Sequence, residues 1–145
     1  MIIAYFDSSL LMSILLEEGR ELEAKNIWNN HQIKFSSVLL KIETNISLLR
    51  FYNRQGNRFD KIWLDNKKTK LRELLNDIYF NDITEIFADS MIQNDTLAAC
   101  KSSDAIHLAT ALNAQRNPKN KNICICSFDK NMLKVAKELG FETNV

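Results

Sequence analysis

The sequence predicts an α/β fold in which a mostly parallel sheet of four to five strands is flanked by helices on both faces. Short apolar runs that end at polar residues, as at residues 2–6 and 123–126, indicate buried strands. Longer stretches with apolar residues at helical spacing separate these runs, which is typical of parallel strands joined by helical crossovers. We find no repeat, low-complexity tract or linker, so residues 1–145 are expected to form one domain.

The first elements are a strand and two helices. Residues 2–6 are apolar and end at Asp7-Ser8-Ser9, which indicates a short buried strand. The helix predicted at residues 8–17 has an apolar side, formed by Leu10, Leu11, Ile14 and Leu15. Gly19 separates it from a second helix at residues 20–30.

Two long helices follow a second strand at residues 33–36. Ser36-Ser37 can cap the first helix, which runs to about Asn53, and a turn at Gly56-Asn57 separates it from the second at residues 58–77. The first helix carries an apolar stripe of the kind that faces a core, formed by Leu39, Ile42, Ile46 and Leu49. Long helices joined by a short link predict an antiparallel helical hairpin.

The second half of the chain predicts three more strands. They lie at residues 78–86, 123–126 and 141–144. Helices are predicted from about Asp89 to Lys101, from Ser103 to Gln115 and at residues 130–139, where Gly140 ends the last one. A polar loop containing Pro118 precedes the strand at residues 123–126.

Composition restricts the class of protein. A hydrophobic content of 46% in 145 residues is enough for a substantial core and argues against disorder. The first strand begins at the start of the sequence, without the basic and apolar regions of a signal peptide, and no apolar run could span a bilayer. We therefore expect a cytoplasmic protein with no membrane association.

The three cysteines fit a reducing compartment. Their odd number argues against a disulfide framework, and Cys124 and Cys126 alternate along one strand, so both should face the same side of the sheet. Together with His31 or His107 they offer the ligand types of a zinc site, but the spacing matches no known zinc pattern. Buried core thiols are the favoured interpretation.

Basic residues are concentrated in the middle of the chain. Residues 50–72 carry a net charge of +6, so the remaining residues together carry −5. The candidate phosphate-binding residues in this region are Arg50, Arg54, Arg58, Lys61, Lys67 and Lys68. A basic hairpin on an acidic body can bind nucleic-acid phosphates or an acidic protein, although a solvated helix face explains the same pattern.

Four acidic residues occupy places that converge in such a fold. Asp7 and Asp129 follow strands, Asp104 opens a helix, and Glu43 interrupts the apolar pattern of another. Carboxylates about 5 Å apart repel by roughly 3 kcal/mol per pair at an effective dielectric near 20, so a cation is needed to hold them together. Oxygen ligands of this kind suit Mg²⁺ or Mn²⁺.

Each acid also has a purely structural explanation. Asp7 and Asp129 can cap the helices that follow them, and Asp104 is favoured in a first helical turn by the helix dipole. Glu43 could be solvated, although it lies at the edge of the apolar stripe. His107, one turn beyond Asp104, is interpreted as a packed and hydrogen-bonded histidine rather than a ligand.

The four segments resemble the motifs of PIN-domain nucleases. The match includes a strand with an aspartate (residues 2–11), a glutamate after a serine-rich helix start (residues 36–43), Ser103-Asp104-Ala105-Ile106-His107 with the residues that follow, and Ser127-Phe128-Asp129. The third motif is the most specific, and the order and spacing are similar to the family's. The segment 54–82 matches no motif.

The resemblance implies a three-layer Rossmann-like domain and a Mg²⁺- or Mn²⁺-dependent ribonuclease with Asp7, Glu43, Asp104 and Asp129 as its acidic pocket. In size and layout the chain is similar to the VapC-type toxins of bacterial toxin–antitoxin pairs. Such toxins usually form homodimers and are inhibited by an antitoxin protein. The expected substrate is RNA, with single-stranded or looped RNA favoured over duplex.

Three alternatives to a nuclease share parts of this pattern. A haloacid-dehalogenase-type phosphotransferase needs a second aspartate two residues after the first, where this chain has Ser9. A receiver domain needs an acidic pair beside the first strand, and Asp7 stands without one. The remaining alternative is a catalytically inactive PIN-like scaffold that binds RNA or a protein, and metal binding distinguishes it from an enzyme.

Overall fold

A computed structural model describes residues 2–84, 91 and 93–145 of the chain. Within these residues five strands form one sheet: β1 (Ile3–Phe6), β2 (Ile33–Ser37), β3 (Tyr79–Asn81), β4 (Ile123–Cys126) and β5 (Glu142–Thr143). The strand order is β3-β2-β1-β4-β5, and every pair is parallel. The predicted α/β class with a parallel sheet of four to five strands is confirmed.

Six α-helices lie in the described part of the chain: α1 (Ser8–Leu16), α2 (Glu21–Asn29), α3 (Leu39–Arg54), α4 (Lys61–Asn76), α5 (Ser102–Gln115) and α6 (Lys130–Glu138). Short 3₁₀ segments occupy Asp95–Ala99 and Pro118–Asn120. None of the helices in these described ranges is long and apolar enough to cross a membrane.

Side chains of β1 and β4 alternate between two packed layers. Tyr5 and Ile125 face the layer built on α5 and α6, where Leu108 and Met132 are fully buried. Phe6 and Cys126 point to the opposite face. The period-two alternation of a strand buried on both sides therefore builds the three-layer arrangement.

On the second face, α1 and α2 cover the sheet and the hairpin of α3 and α4 packs beside them. Leu10, Ala24 and Trp28 contact the sheet, and Leu15 of α1 meets Leu48 and Leu71 of the hairpin. The predicted sides of both cysteines are confirmed, since Cys124 and Cys126 are buried free thiols in the same layer.

The predicted core stripe of α3 is wrong. The residues of α3 that are buried are Leu40, Thr44 and Leu48, whereas Ile42, Ile46 and Leu49 are exposed. The helix has apolar residues on more than one face, so periodicity did not distinguish the face that packs on α1 and α4 from the face that meets solvent.

Two predicted elements of the second half differ from the structure. The strand expected at residues 78–86 is limited to Tyr79–Asn81 among the described residues, and residues 85 and 86 lie outside them. The helix expected from Asp89 to Lys101 also begins outside the described residues, and its later part is the 3₁₀ segment Asp95–Ala99. Asp95 and Thr96 can hydrogen-bond locally to the backbone, which weakens a regular α-helix there.

Candidate active site

The order of the strands places β1 beside β4 at the point where the chain changes direction across the sheet. The chain builds β1, β2 and β3 outward on one side and then returns to add β4 and β5 on the other. In open α/β sheets, ligands bind beyond the carboxyl ends of the strands at such a switch point. Asp7 follows β1 and Asp129 lies three residues after β4, so both are at this edge.

Asp7 is buried and held by four hydrogen bonds. Its Oδ1 accepts from the backbone N–H of Ser8 at 2.6 Å and from the Ser8 hydroxyl at 3.3 Å. Its Oδ2 accepts from the hydroxyls of Ser9 at 2.8 Å and Ser127 at 2.6 Å. Only 3% of Asp7 is exposed. The predicted N-cap of α1 is confirmed, and the same carboxylate is also held by Ser127, which follows β4.

Ser127 connects the ends of β1 and β4. Its hydroxyl donates to Asp7 and accepts from the backbone N–H of Asp129 at 2.9 Å. The Oδ1 of Asp129 accepts from Met132 N at 2.9 Å, so its predicted role as the cap of α6 is confirmed. Capping uses one oxygen of that carboxylate, which keeps its position fixed beside the pocket.

Asp104 lies in the first turn of α5 and is 5% exposed. Burial raises its pKa to about 6, the negative charges of Asp7 and Asp129 act in the same direction, and Lys101 opposes them. The Lys101 ammonium is exposed and lies 4.0 Å from the carboxylate, so it compensates only part of the cost. Asp7, Asp104 and Asp129 therefore act on one another electrostatically.

Glu43 reaches the pocket from α3 through a chain of buried hydrogen bonds. Its Oε1 is hydrogen-bonded to Nε2 of His107, which is fully buried, and Nδ1 of His107 lies 2.6 Å from the hydroxyl of Tyr5. The Tyr5 oxygen accepts from Ser37 N at 3.1 Å. We assign the Tyr5 hydroxyl as the donor to Nδ1 and place the imidazole proton on Nε2, so His107 donates to Glu43.

Burial also keeps Tyr5 protonated, because it raises the pKa of the phenol well above its usual value. The protonated phenol can donate to Nδ1 of His107, which leaves the imidazole proton on Nε2. The interpretation of His107 as a packed and hydrogen-bonded histidine is confirmed. Its Nε2 contacts the Glu43 carboxylate.

A carboxylate oxygen of Asp7, one of Glu43 and a ring nitrogen of His107 lie within 4.8 Å of one another. Because both nitrogens of His107 are engaged in hydrogen bonds, we take the oxygens as the ligand atoms. Carboxylate oxygens are the ligands that a hard divalent cation such as Mg²⁺ or Mn²⁺ prefers. The raised pKa of Asp104 shows that its negative charge is poorly compensated in the absence of a cation. The residues present fit such an ion.

Two positioning side chains, Tyr5 and Ser9, were missed in the sequence. Tyr5 lies in an apolar run, and only the need of a buried phenol for a partner signals its role. Ser9 follows Asp7 by two residues, the spacing at which a hydroxyl can bond back to the carboxylate and also accept from Phe128 N at 3.0 Å. The partners of Tyr5, and the Phe128 partner of Ser9, are distant in sequence, so spacing alone did not reveal these contacts.

The basic residues of the central segment lie on the hairpin of α3 and α4. Most of the candidate phosphate-binding side chains are exposed: Arg50, Arg54, Arg58, Lys61 and Lys68. Lys67 differs, since its side chain is 12% exposed, lies 3.7 Å from Glu17 and covers the Trp63 ring. Phe59 stacks on Trp63 with centroids 4.1 Å apart, and Arg58 lies over Phe59. The predicted helical hairpin is confirmed.

A family model for the PIN domain matches residues 4–138. The chain belongs to the PIN domain family. PIN domains are typically nucleases that depend on a metal ion. The acidic cluster at the switch point lies within the matched range. A comparison with curated proteins found no match. The family resemblance inferred from the four motifs is thereby confirmed.

The raised pKa of Asp104 makes the stability of this PIN domain depend on pH. Since the folded-state pKa of about 6 lies above the unfolded value near 3.9, the folded state binds more protons in this window. Stability should therefore fall as pH rises from about 4 to 7, by up to about 3 kcal/mol. Denaturant unfolding in EDTA at pH 5 and pH 7.5 measures the difference, and an Asp104→Asn variant should reduce it. An undiminished pH dependence in that variant would contradict the assignment.

Proposed function

We propose that this PIN domain is a metal-dependent endoribonuclease and the toxin of a bacterial toxin–antitoxin pair. The observation that carries the proposal is the position of Asp7 and Glu43 at the switch point of the sheet, where their carboxylate oxygens lie within 4.8 Å of each other and His107 holds Glu43. The charges of Asp7 and Asp129 also act on the buried Asp104. Helix capping alone does not explain why these acids lie near one another, because bringing like charges together away from solvent is unfavourable. A divalent cation relieves that cost.

In this proposal Asp7 and Asp104 are direct ligands of Mg²⁺ or Mn²⁺. Glu43 and Asp129 complete the set of ligands, either directly or through water. When bound, such an ion lowers the pKa of a water and neutralises charge that develops on the scissile phosphate. The contribution of the chain is a fixed arrangement of oxygens: Ser9 and Ser127 hold Asp7, and the backbone of α6 holds Asp129.

Glu43 is the residue best placed to orient the attacking water. His107 donates to one of its oxygens, and 21% of the glutamate side chain is exposed, whereas His107 has no exposed surface. The carboxylate is therefore fixed on its protein side and open on the other. A water that donates to Glu43 would be directed toward the phosphate next to Asp7.

The exposed cations of the hairpin would bind RNA phosphates. They contribute affinity without reading sequence, because phosphate contacts carry no base information. Arg58 lies next to the stacked rings of Phe59 and Trp63, and such rings can also stack on unpaired bases. Lys67 is the weakest member of the set, since Glu17 and Trp63 already engage its ammonium.

Reversing charges on the hairpin should weaken RNA binding and its dependence on salt. For an Arg54→Glu, Arg58→Glu double variant we expect the slope of log K against log salt to become shallower by about 0.7 for each phosphate that the variant no longer binds. Binding of single-stranded RNA to an Asp104→Asn background across a salt series measures this. The control is Lys137→Glu, which also replaces an exposed basic residue by glutamate but lies on α6, away from the hairpin. It should have little effect. Equal slopes in wild type and double variant would contradict the role of the hairpin.

We further propose a homodimer and inhibition by an antitoxin protein. The exposed apolar stripe of α3 supports an interface, because Ile42, Ile46 and Leu49 are 54%, 40% and 42% exposed on one side of the helix. A stripe of this kind can pair with its own copy around a two-fold axis. The mass of the purified chain in solution, compared with that of an Ile46→Lys variant, tests the dimer.

Cleavage of total bacterial RNA by the purified chain tests the nuclease itself. We expect discrete fragments with Mg²⁺ or Mn²⁺ and none with EDTA. The alternative is a PIN scaffold that binds RNA or protein without turnover. A folded chain that neither cleaves RNA nor binds Mg²⁺ would favour the scaffold and contradict the enzyme.

A further inference from the structure

A second group of potential metal ligands lies on the other side of the sheet from His107. Cys124 and Cys126 of β4 point into the layer under α2, and His31 follows the end of that helix. One nitrogen of His31 and both thiol sulfurs lie within 4.8 Å of one another. These three residues take no part in the acidic pocket.

The two sulfurs are already separated by almost the distance that a metal requires. Their Sγ atoms are 3.9 Å apart. Two thiolates bound to tetrahedral zinc at about 2.3 Å are about 3.8 Å apart. The corresponding sulfur-to-nitrogen distance is about 3.6 Å, compared with at most 4.8 Å here, so a shift of His31 by about 1.2 Å or less would complete three ligands. Cys124 and Cys126 are i and i+2 on a strand, so both side chains leave the same face of the sheet, and their rotamers bring the sulfurs together.

The imidazole of His31 makes the kind of backbone hydrogen bond that metal-binding histidines usually make. Its Nδ1 donates to the carbonyl of Ile27 at 2.8 Å, which leaves the lone pair on Nε2. The edge of the ring packs against Phe6, with ring centroids 6.4 Å apart. His31 is half-buried, whereas 6% of Cys124 and none of Cys126 is exposed. Solvent can therefore reach the fourth position from the histidine side.

We propose that Cys124, Cys126 and His31 form a second metal site, specific for a thiophilic cation and separate from the acidic pocket, with Zn²⁺ as its ion. Thiolate and imidazole ligands select Zn²⁺ or Cu⁺ over Mg²⁺. Charge decides between the two. Two thiolates and a neutral imidazole make Zn²⁺ electrically neutral, whereas Cu⁺ would leave one negative charge among Phe6, Leu10 and Trp28. On binding, two S–H bonds break, two protons are released and two Zn–S bonds form.

Titration of the full chain with Co²⁺ in excess Mg²⁺ tests the site, because sulfur-to-cobalt charge transfer absorbs only when thiolates bind, and Mg²⁺ occupies the oxygen ligands. We expect one equivalent of Co²⁺ to give this absorption, and Zn²⁺ to displace it. Cys124→Ala should weaken Co²⁺ binding at least tenfold. Cys100→Ala removes a thiol elsewhere and should leave the titration unchanged.

His31→Gln provides a second variant at a half-buried position and should weaken Co²⁺ binding about tenfold or more, with the circular dichroism of the apo chain unchanged. Absence of charge transfer in the wild-type chain would overturn the proposal, as would absorption that depends on Cys100 and not on Cys124. Binding of Cu⁺ under reducing conditions without binding of Co²⁺ or Zn²⁺ would overturn the choice of ion. Because every readout is spectroscopic, failure of this site is distinguishable from failure of the nuclease.

Discussion

An Asp104→Asn variant should lose RNA cleavage and gain stability. The neutral amide binds a divalent cation more weakly than the carboxylate does, so we expect the cleavage rate to fall at least about 100-fold. This exceeds the decrease of about 10- to 100-fold that is typical when a residue that only supports a ligand is changed. The same change removes a buried carboxylate whose ionisation is disfavoured by burial and by Asp7. Stability at pH 7.5 in EDTA should therefore rise by about 1 to 3 kcal/mol.

Asp7→Asn should abolish cleavage in the same way but without the gain in stability. Its carboxylate accepts from the Ser8 backbone and from the Ser9 and Ser127 hydroxyls. In asparagine one of the two oxygens is replaced by an NH₂ group, which cannot accept these hydrogen bonds. We expect stability to fall by about 1 kcal/mol. Cleavage rates and denaturant midpoints of the two variants measure both effects.

Asp95→Asn is the matched control for both changes, because Asp95 is an exposed aspartate at the start of a 3₁₀ segment. It should retain wild-type cleavage. An Asp104→Asn protein that keeps full activity and normal Mg²⁺ affinity would remove this residue from the site.

The largest effect on stability is expected for His107→Ala. The substitution leaves a cavity at a position with no exposed surface and deprives the Tyr5 hydroxyl of its acceptor. Cavity formation and an unsatisfied buried group together should cost about 3 kcal/mol, with a range of about 2 to 5. Urea unfolding of the metal-free chain measures the decrease.

Glu43→Gln separates the charge of the glutamate from its hydrogen bond. The amide oxygen can still accept from Nε2 of His107, so stability should change by less than about 1 kcal/mol while cleavage falls sharply. Tyr5→Phe should lie between the two, since it removes the group that accepts from Ser37 and donates to His107. A His107→Ala protein as stable as wild type would contradict the buried chain of hydrogen bonds.

Local signals in the sequence were sufficient for most elements of this fold. Strands β1 and β4 are uninterrupted apolar runs that end at polar residues, and Gly19 and Gly56 mark the breaks between helices. The face of α3 was not predictable, because Leu40 and Leu48 compete with Ile42 and Ile46 for the core. That choice depends on how α3 meets α1 and α4, which no local pattern encodes.

The acids of the candidate site were recognisable from their positions, but the residues that hold them were not. Asp7 and Asp129 follow strands that end at the same edge of a parallel sheet. Tyr5 and His107 are 102 residues apart, and Asp7 and Ser127 are 120 apart. Contacts over such separations follow from the order of the strands. The sequence indicates that order only through the alternation of strands and helices.

The length of α3 sets a minimum size for a substrate that uses both ends of this helix. Glu43 lies near its start and Arg54 at its last residue, and 11 residues at about 1.5 Å each separate them by about 17 Å. In the proposed function, and at about 3.4 Å per stacked nucleotide, an RNA strand needs about five unpaired nucleotides to contact Arg54 while a phosphate lies at the acids. Di- and trinucleotides would not reach from the acids to Arg54, so they would be poor substrates.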